Sequence, residues 1–301
     1  MAKKTQPQMV EQMDASLHEP INKDAPLTIY GSKLKPELAT AALNLSIDFL
    51  KQQQSLANQH VMWHRKTLGT AFLCAFVYLA PRATFPKGSK SVMGTVVQFV
   101  LMNKAQLVYF AVVTILAASF IFTFLARFTE DLFKRKISQV VDTNGVAVFG
   151  VDLTELVKGD IKDKSKLDNT QVIVYRETPI ALASVVENSL MSSNDALVMG
   201  VSTIGSRRVY LQSGIIEDLL DWALIRTKNI QKTGKFEAGN SMKLLVEVYS
   251  FDKVIKKTLK SKGFSLIKAV KLEESRLLGG LFGVKKELWG VQFHFDSKKQ
   301  K

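Results

Sequence analysis

The chain has 301 residues, 47% of them hydrophobic, and 41 Lys and Arg against 27 Asp and Glu, which gives a formal net charge of +14. This length accommodates a membrane part and one soluble domain of roughly 150 residues, but not a many-helix transporter. The single cysteine, Cys74, excludes an intramolecular disulfide and a cysteine-based zinc site. Because the chain also carries long apolar segments, attraction to anionic lipid explains the basic excess better than nucleic-acid binding.

The amino-terminal segment 1–33 is polar, holds Pro7, Pro20 and Pro26, and lacks the apolar core of a signal peptide. We expect it to be a disordered tail. Residues 34–66 follow, with apolar side chains at helical spacing after Pro36. This pattern predicts an amphipathic helix that leads into the membrane or lies on its surface, although an ordinary packed helix fits equally well.

Two apolar segments predict a transmembrane hairpin over residues 67–127. Ala105 to Ala126 is a run of twenty-two residues without a charge. A helix of that length spans about 33 Å, enough to cross a bilayer core of about 30 Å. Residues 67–85 form the first predicted span, in which Arg82 can extend to the interface. The uncharged stretch Ser91 to Asn103 is interpreted as an interfacial or re-entrant segment.

Two crossings place both termini on one side of the membrane, and basic residues flank both spans, so their count favours cytosolic termini only weakly. Residues 297–301 form a lysine-rich end in which Lys298 and Lys299 precede Gln300 and Lys301. This end resembles the dilysine retrieval signal of endoplasmic-reticulum membrane proteins. The resemblance implies that coat proteins read the tail, that the protein resides in the endoplasmic-reticulum membrane, and that both termini are cytosolic.

Residues 141–296 change to alternating strand-like and helical patterns and predict a cytosolic mixed α/β domain, so that the predicted fold class of the whole chain is α+β. The predicted strands are 145–153, 171–176, 180–187, 196–203, 243–248, 264–272 and 287–295, the last two as an antiparallel pair, and the predicted helices are 213–227 and 251–262. Gly263 is suited to a left-handed helix cap.

This order of strands and helices, with the phrase LKSKGF before the penultimate strand, resembles the GNAT-type N-acetyltransferase fold. The resemblance implies a pyrophosphate-binding turn near Gly214, but Leu211 stands where the family has Arg or Gln and Ile216 where it has a small residue. Leu259 stands at the place of the tyrosine that protonates the leaving thiolate. We therefore predict no catalytic residue and no bound cofactor. An active acetyl-CoA-dependent N-acetyltransferase, anchored in the membrane, is the alternative.

The polar tail with DAPLTIYG, the hairpin, the degenerate acetyltransferase-like domain and the KKQK end together resemble the fungal endoplasmic-reticulum export factor of the phosphate transporter. The resemblance implies a packaging chaperone without enzymatic activity. Its implied partners are a multi-span phosphate permease as client, coat proteins and membrane lipids, with no nucleic acid.

Polar side chains on the second span are candidate client contacts, because hydroxyl and small residues let transmembrane helices approach closely. They are Gln106, Thr114, Ser119 and Thr123. Packing of the protein's own two spans explains them equally well. No metal site is predicted, since His60 and His64 supply only two ligands.

Overall fold

The computed structural model describes residues 28–86, 91–161, 163–193, 196–233 and 241–294. These divide into two compact units. The helical unit comprises Gln54–Leu132 and Glu273–Gly283, and the sheet unit comprises the described parts of Met1–Gln53, Phe133–Leu272 and Val284–Lys301. The predicted tail residues 1–27 and the dilysine residues lie outside the described residues.

The sheet unit is built on one seven-stranded mixed sheet with the strand order β1-β2-β3-β4-β5-β7-β6. Neighbouring strands are antiparallel except β4 and β5, which are parallel. The strands are β1 (Ile29–Lys33), β2 (Thr170–Tyr175), β3 (Thr178–Glu187), β4 (Ala196–Ser206), β5 (Ser241–Tyr249), β6 (Ser265–Lys271) and β7 (Lys285–His294). Apolar residues make up most of the central strands, which suits a sheet covered on both faces.

Eight α-helices accompany the sheet within the described residues. They are α1 (Ala39–Met62), α2 (Arg65–Leu79), α3 (Val92–Met102), α4 (Lys104–Asp142), α5 (Val146–Phe149), α6 (Leu153–Lys158), α7 (Ile215–Thr233) and α8 (Lys253–Ser261). Short 3-10 turns and one π-helical turn, Leu277–Leu281, connect them. The helices α1 and α4 each contribute residues to both units.

The sheet unit has one apolar core on each face of its sheet. Alternate residues of β3 divide between them, since Ala181 and Ala183 join one core and Leu182 joins the other. Helices α7 and α8 close the first core. The other core is closed by the first half of α1, the last turns of α4 and the short helices α5 and α6. The sheet unit is therefore a three-layer arrangement.

The helical unit contains α2, α3, most of α4 and the π-helical turn. The turn packs on the start of α2, where the rings of His64 and Phe282 lie 5.1 Å apart edge to face. Lys66 Nζ donates to the Leu281 carbonyl at 2.7 Å. The glycine-rich segment 277–284, an apolar stretch in sequence, is thus ordered as a turn of this unit.

Most of the predicted secondary structure of the sheet unit is confirmed. The strands predicted near 171–176, 180–187, 196–203 and 243–248 are β2 to β5, and the closing pair is β6 with β7, antiparallel as expected. The two predicted helices are α7 and α8. Gly263 has a φ of +80°, in agreement with the predicted left-handed cap.

Two predictions about the sheet unit are wrong. Residues 145–153, predicted as a strand, form α5 and the start of α6, because Gly145 and Gly150 both adopt positive φ and enclose a single helical turn. The predicted tail 1–33 ends instead in a strand, since Ile29–Lys33 pairs with β2. Because this strand pairs with a segment that is distant in sequence, its own residues carry no local pattern that predicts a strand.

The membrane-related segments agree with the predictions only in part. The helix predicted over 34–66 is α1, and Leu43, Leu45 and Phe49 in its first half are buried in the sheet unit, so that half is an ordinary packed helix. The first predicted span, 67–85, is helical as α2 and a 3-10 turn that ends at Arg82. Residues 91–103 form the short helix α3.

Candidate functional site

The helix α4 presents a long apolar surface. Among the described residues, α4 alone is long and apolar enough to cross a membrane, and none of its most apolar eighteen-residue stretch is buried. Phe120 is 77% exposed, and Ile115 and Leu116 are 65% and 63% exposed. A soluble protein rarely exposes so large a contiguous apolar surface, which indicates a membrane or a protein partner.

The polar residues of α4 lie on two different sides of the helix. Gln106 and Thr114 fall on a half-buried side, and the Thr114 hydroxyl donates to the Phe110 carbonyl at 2.7 Å. Ser119 and Thr123 lie on the exposed side, and Thr123 donates to the Ser119 carbonyl at 2.8 Å. Only the second pair is accessible to a partner helix.

Small residues of α2 line its buried side, and α2 contacts α4. Thr67, Ala71 and Ala75 are buried at four-residue spacing. The rings of Phe72 and Phe110 meet edge to face at 5.6 Å. Small residues at this spacing allow close approach of two helices, as in membrane helix pairs.

A buried asparagine fastens the connection that follows α2. Asn103 is fully buried and caps α3 at its junction with α4. Its Oδ1 accepts from the Thr84 amide at 2.8 Å and from the Thr84 hydroxyl at 3.1 Å. Its Nδ2 donates to the carbonyls of Thr84 and Phe99, both at 2.8 Å. Because every polar atom of the side chain is paired, Asn103 fixes this connection to the start of α4.

The positions that the acetyltransferase resemblance singled out do not converge on one site. A groove of about 420 Å³ is lined by Leu211, Gln212, Glu217, Lys253, Val254, Lys257, Thr258 and Ser261. Gly214, with a φ of +83°, precedes α7 beside Leu211. Ile216 and Leu259, however, are buried in the core of the sheet unit. The side chain of Ile216, which stands where the acetyltransferase family has a small residue, packs inward and does not line the groove.

The groove also contains polar groups that the sequence patterns did not single out. Glu217 Oε1 accepts from the Thr258 hydroxyl at 3.2 Å, which places a carboxylate between the groove walls. Asp252 does not line the groove; it caps α8 by accepting from the Ile255 amide at 3.1 Å. Burial raises the pKa of Asp252, although its hydrogen bonds from backbone amides oppose that shift.

A second cavity, of about 150 Å³, adjoins the parallel strand pair, whose last paired residues are Val201 and Val246. Lys136 donates to the Tyr249 hydroxyl there, and Phe49 of α1 forms part of the wall. The groove and this cavity share no lining residue within the described part of the chain. The two openings therefore do not form one continuous cleft.

These features define the class of the protein: an α+β sheet protein that carries an exposed apolar helix. The family model described as the inorganic phosphate transporter chaperone Pho86 matches residues 11–293. The chain belongs to this family of transporter chaperones. A comparison with the curated proteins gave no match.

Several solved acetyltransferase structures resemble part of the chain. The Arabidopsis thaliana Naa50 in complex with a bisubstrate analogue has 15% identity and a TM-score of 0.32, covering 52% of this chain and 92% of its own. The ribosomal-protein-S18-alanine N-acetyltransferase from Escherichia coli has 11% identity and a TM-score of 0.30, covering 44% and 73%. A GNAT-family acetyltransferase from Streptococcus pneumoniae has 11% identity and a TM-score of 0.33, covering 47% and 75%.

Proposed function

We propose that this protein is a resident chaperone of the endoplasmic-reticulum membrane that helps a multi-span phosphate permease to fold and to enter transport vesicles. The family to which the chain belongs supports the chaperone role and the class of client. The observation that carries the membrane part is the unburied apolar stretch of α4. In this proposal α4 crosses the membrane, α2 forms the second crossing, and both termini are cytosolic.

Contacts within the helical unit support a hairpin of α2 and α4. The Phe72–Phe110 contact and the Asn103 hydrogen bonds to Thr84 bring the end of α2 close to the start of α4. Hydrocarbon does not solvate polar groups, so a connection between two spans must pair its own polar atoms. The fully paired side chain of Asn103 meets this requirement between α2 and α4. Glycosylation acceptor sites placed at the amino terminus, within 87–90 and near the carboxyl end test this topology. Modification at either terminus would refute it.

The client contact is proposed for the exposed side of α4 that holds Ser119 and Thr123. Their hydroxyls stand among large exposed apolar side chains such as Phe120. Interhelical hydrogen bonds of such residues are worth about 0.6 kcal/mol each on average, which suits reversible holding of a client. Gln106 and Thr114 are assigned to packing within the helical unit, because they lie on its half-buried side.

Residence in the endoplasmic reticulum is proposed to depend on Lys298 and Lys299, read by coat proteins in the cytosol. These lysines lie outside the described residues, so this proposal rests on the sequence alone. Replacing both by serine should release part of the protein to later compartments. Unchanged localisation would assign retention to the membrane segments or to a partner.

The role is proposed to involve no catalysis. Leu259 is 0% exposed in the core, so no side chain at that position can reach the groove without repacking. The side chain of Leu211 offers no hydrogen bond, and the Glu217 carboxylate in the groove lining would repel an anionic ligand. The domain therefore functions in this proposal as an acetyltransferase-like pseudoenzyme that supplies a binding surface.

Membrane-anchored acetyl transfer is the second candidate, because the element order of the sheet unit follows the acetyltransferase pattern. Calorimetry of the purified full-length protein with acetyl-CoA separates the two functions. Micromolar binding followed by acetyl transfer to a peptide would establish the enzyme, whereas absence of heat supports the chaperone role.

The decisive experiment images a tagged phosphate permease in cells that lack this protein. The permease should remain in the endoplasmic reticulum while unrelated membrane proteins reach the cell surface, and growth should suffer chiefly when phosphate is scarce. Normal arrival of the permease would overturn the functional proposal. A general block in secretion would replace it with a broader trafficking role.

A further inference from the structure

A strongly basic segment runs through α8 and β6. Residues 253–271 contain seven lysines and neither Asp nor Glu. Seven lysines with no carboxylate among nineteen residues make this segment strongly basic. Surfaces that serve only solubility usually mix both signs of charge.

The lysines of α8, and Lys262 at its carboxyl-terminal cap, differ in what they contact. Lys256 forms an ion pair with Glu287 at 3.3 Å, and Lys262 forms one with Asp221. The side chains of these two lysines are partly buried, and their ion pairs join α8 to β7 and its carboxyl-terminal cap to α7. Their charges are therefore neutralised within the protein.

The remaining lysines of α8 point outward as a row. Lys253, Lys257 and Lys260 are exposed and recur on one helix face at spacings of four and three residues. Within the described part of the chain none of the three forms an ion pair. Val254 lies among them and is 48% exposed. The face thus combines uncompensated positive charge with an open apolar side chain.

The edge strand β6 extends this face. Lys260 Nζ lies 5.8 Å from the centroid of the Trp289 ring, and Leu266 of β6 is paired with Trp289 in the sheet. Leu266 and Ile267 are 49% and 57% exposed, and every residue of β6 is open. Lys271, paired with Lys285, lies on the same side of the sheet as Leu266 and adds a further charge, whereas Lys268, paired with Leu288, lies on the opposite side. The basic and apolar side chains on the α8 side form one surface, which we name the α8–β6 face; it comprises Lys253, Val254, Lys257, Lys260, Leu266 and Lys271.

We propose that the α8–β6 face docks on a bilayer surface that contains anionic lipid. Lysines attract acidic headgroups, their alkyl stems and the exposed Val254 and Leu266 enter the interfacial layer, and the attraction is screened by salt. Charge complementarity selects this occupant, and a chain with an apolar helix such as α4 has that surface within reach. A second copy of the chain fits poorly, because it would oppose lysines with lysines. This docking goes beyond client binding and does not depend on it.

The test uses the full-length protein in nanodiscs of phosphatidylcholine with or without phosphatidylserine. Because Cys74 is the only cysteine, a Cys74→Ser background with Val254→Cys carries one environment-sensitive fluorophore. The matched control is Val157→Cys on α6, where Val157 has similar exposure. We expect a headgroup-attached quencher to reduce emission at position 254 several-fold more in the phosphatidylserine discs, and not at position 157. High salt should remove the difference.

A triple substitution, Lys253→Gln, Lys257→Gln and Lys260→Gln, should abolish the lipid-dependent quenching at position 254. Its thermal unfolding midpoint should remain that of the parent, since the three side chains are exposed. Amine labelling supplies a readout without a fluorophore: Lys253 and Lys257 should be protected several-fold by phosphatidylserine relative to the exposed Lys228. Equal quenching in both lipids, or protection that appears only when an acidic protein is added, would overturn the proposal.

Discussion

The ring of Phe49 in α1 lies directly over Gly205 in β4, so that a Cβ atom on Gly205 would come within 2.7 Å of that ring. Phe49 is buried in the core that α1 closes over the sheet. This contact shows that the first half of α1 is a structural layer of the sheet unit. It also explains why β4 holds a glycine at a position where the backbone alone does not require one.

Gly205→Ala should therefore destabilise the protein by overpacking, by about 1–3 kcal/mol in the free energy of unfolding. Gly200→Ala in the same strand is the control, because its new Cβ would meet only the Val186 carbonyl, at an ordinary 3.9 Å. Chemical denaturation of both variants measures the difference. Equal stabilities would mean that Phe49 moves aside at no cost.

Asp252 gives a prediction about pH. Burial raises its pKa in the folded state, so folding favours the protonated form. The contribution to stability is then largest below the unfolded pKa and is lost as pH rises through the raised folded value. Asp252→Asn keeps the acceptor for the Ile255 amide without the charge. The stability of this variant relative to wild type should increase from about pH 4 to pH 7.

Thermal unfolding at several pH values measures the Asp252→Asn comparison. Asp252→Ala, which removes the cap, should lose roughly 1 kcal/mol and reports the value of the cap itself. A difference between Asp252→Asn and wild type that is the same at every pH would contradict the assignment of a raised pKa.

Asn103 should be essential for the connection between α2 and α4. Asn103→Ala removes a fully buried side chain and its hydrogen bonds to the Thr84 amide and carbonyl, which should cost about 1–3 kcal/mol. Limited proteolysis and thermal unfolding in detergent measure the loss. Thr95→Ala removes only an exposed hydroxyl bond to the Ser91 carbonyl and should change stability little. A similar small effect for both variants would show that Asn103 is dispensable.

The two polar pairs on α4 should respond differently to substitution. Ser119→Leu with Thr123→Leu changes the exposed side and should reduce delivery of the permease without lowering stability. Gln106→Leu with Thr114→Leu changes the half-buried side and should act through the stability of the helical unit. Surface quantification of a tagged permease and thermal unfolding of each double variant provide the two readouts. A delivery defect confined to the Gln106→Leu, Thr114→Leu variant would reverse the assignment of the sides.

The central strands and the helices α7 and α8 could be predicted because their signals are local. Runs such as 171–176 and 196–203 are rich in β-branched residues, and Gly263 ends a helix by its own conformational freedom. By contrast, β1 becomes a strand only because β2 supplies its hydrogen bonds. Gly145 and Gly150 convert an apolar run into a helical turn, and periodicity cannot distinguish these outcomes over so few residues.

The candidate site was less predictable than the fold, because site residues depend on which side of an element faces the core. Gln106, Thr114, Ser119 and Thr123 look equivalent in the sequence, whereas the structure separates them into two pairs. The lysines of residues 253–262 likewise form one cluster in the sequence, although Glu287 neutralises Lys256 and Asp221 neutralises Lys262. Only burial and ion pairing reveal these distinctions.

Leu259 provides the sharpest distinction between a binding module and an enzyme. The acetyltransferase resemblance places a proton-donating tyrosine at this position, but Leu259 lies in the core with no exposed surface. Leu259→Ala should cost about 2–5 kcal/mol in the free energy of unfolding, through the lost apolar contacts and the cavity left behind. The control is Lys257→Ala, two residues away on the exposed face of α8, which should change stability by less than about 0.5 kcal/mol. Leu259→Tyr should also destabilise, because the larger ring and its hydroxyl enter a closed apolar core, and it should produce no acetyl transfer from acetyl-CoA to peptide. Denaturation curves and a radiolabelled transfer assay on the same preparations measure both effects. A folded Leu259→Tyr variant that transfers acetyl groups would show that the groove retains a working cofactor site.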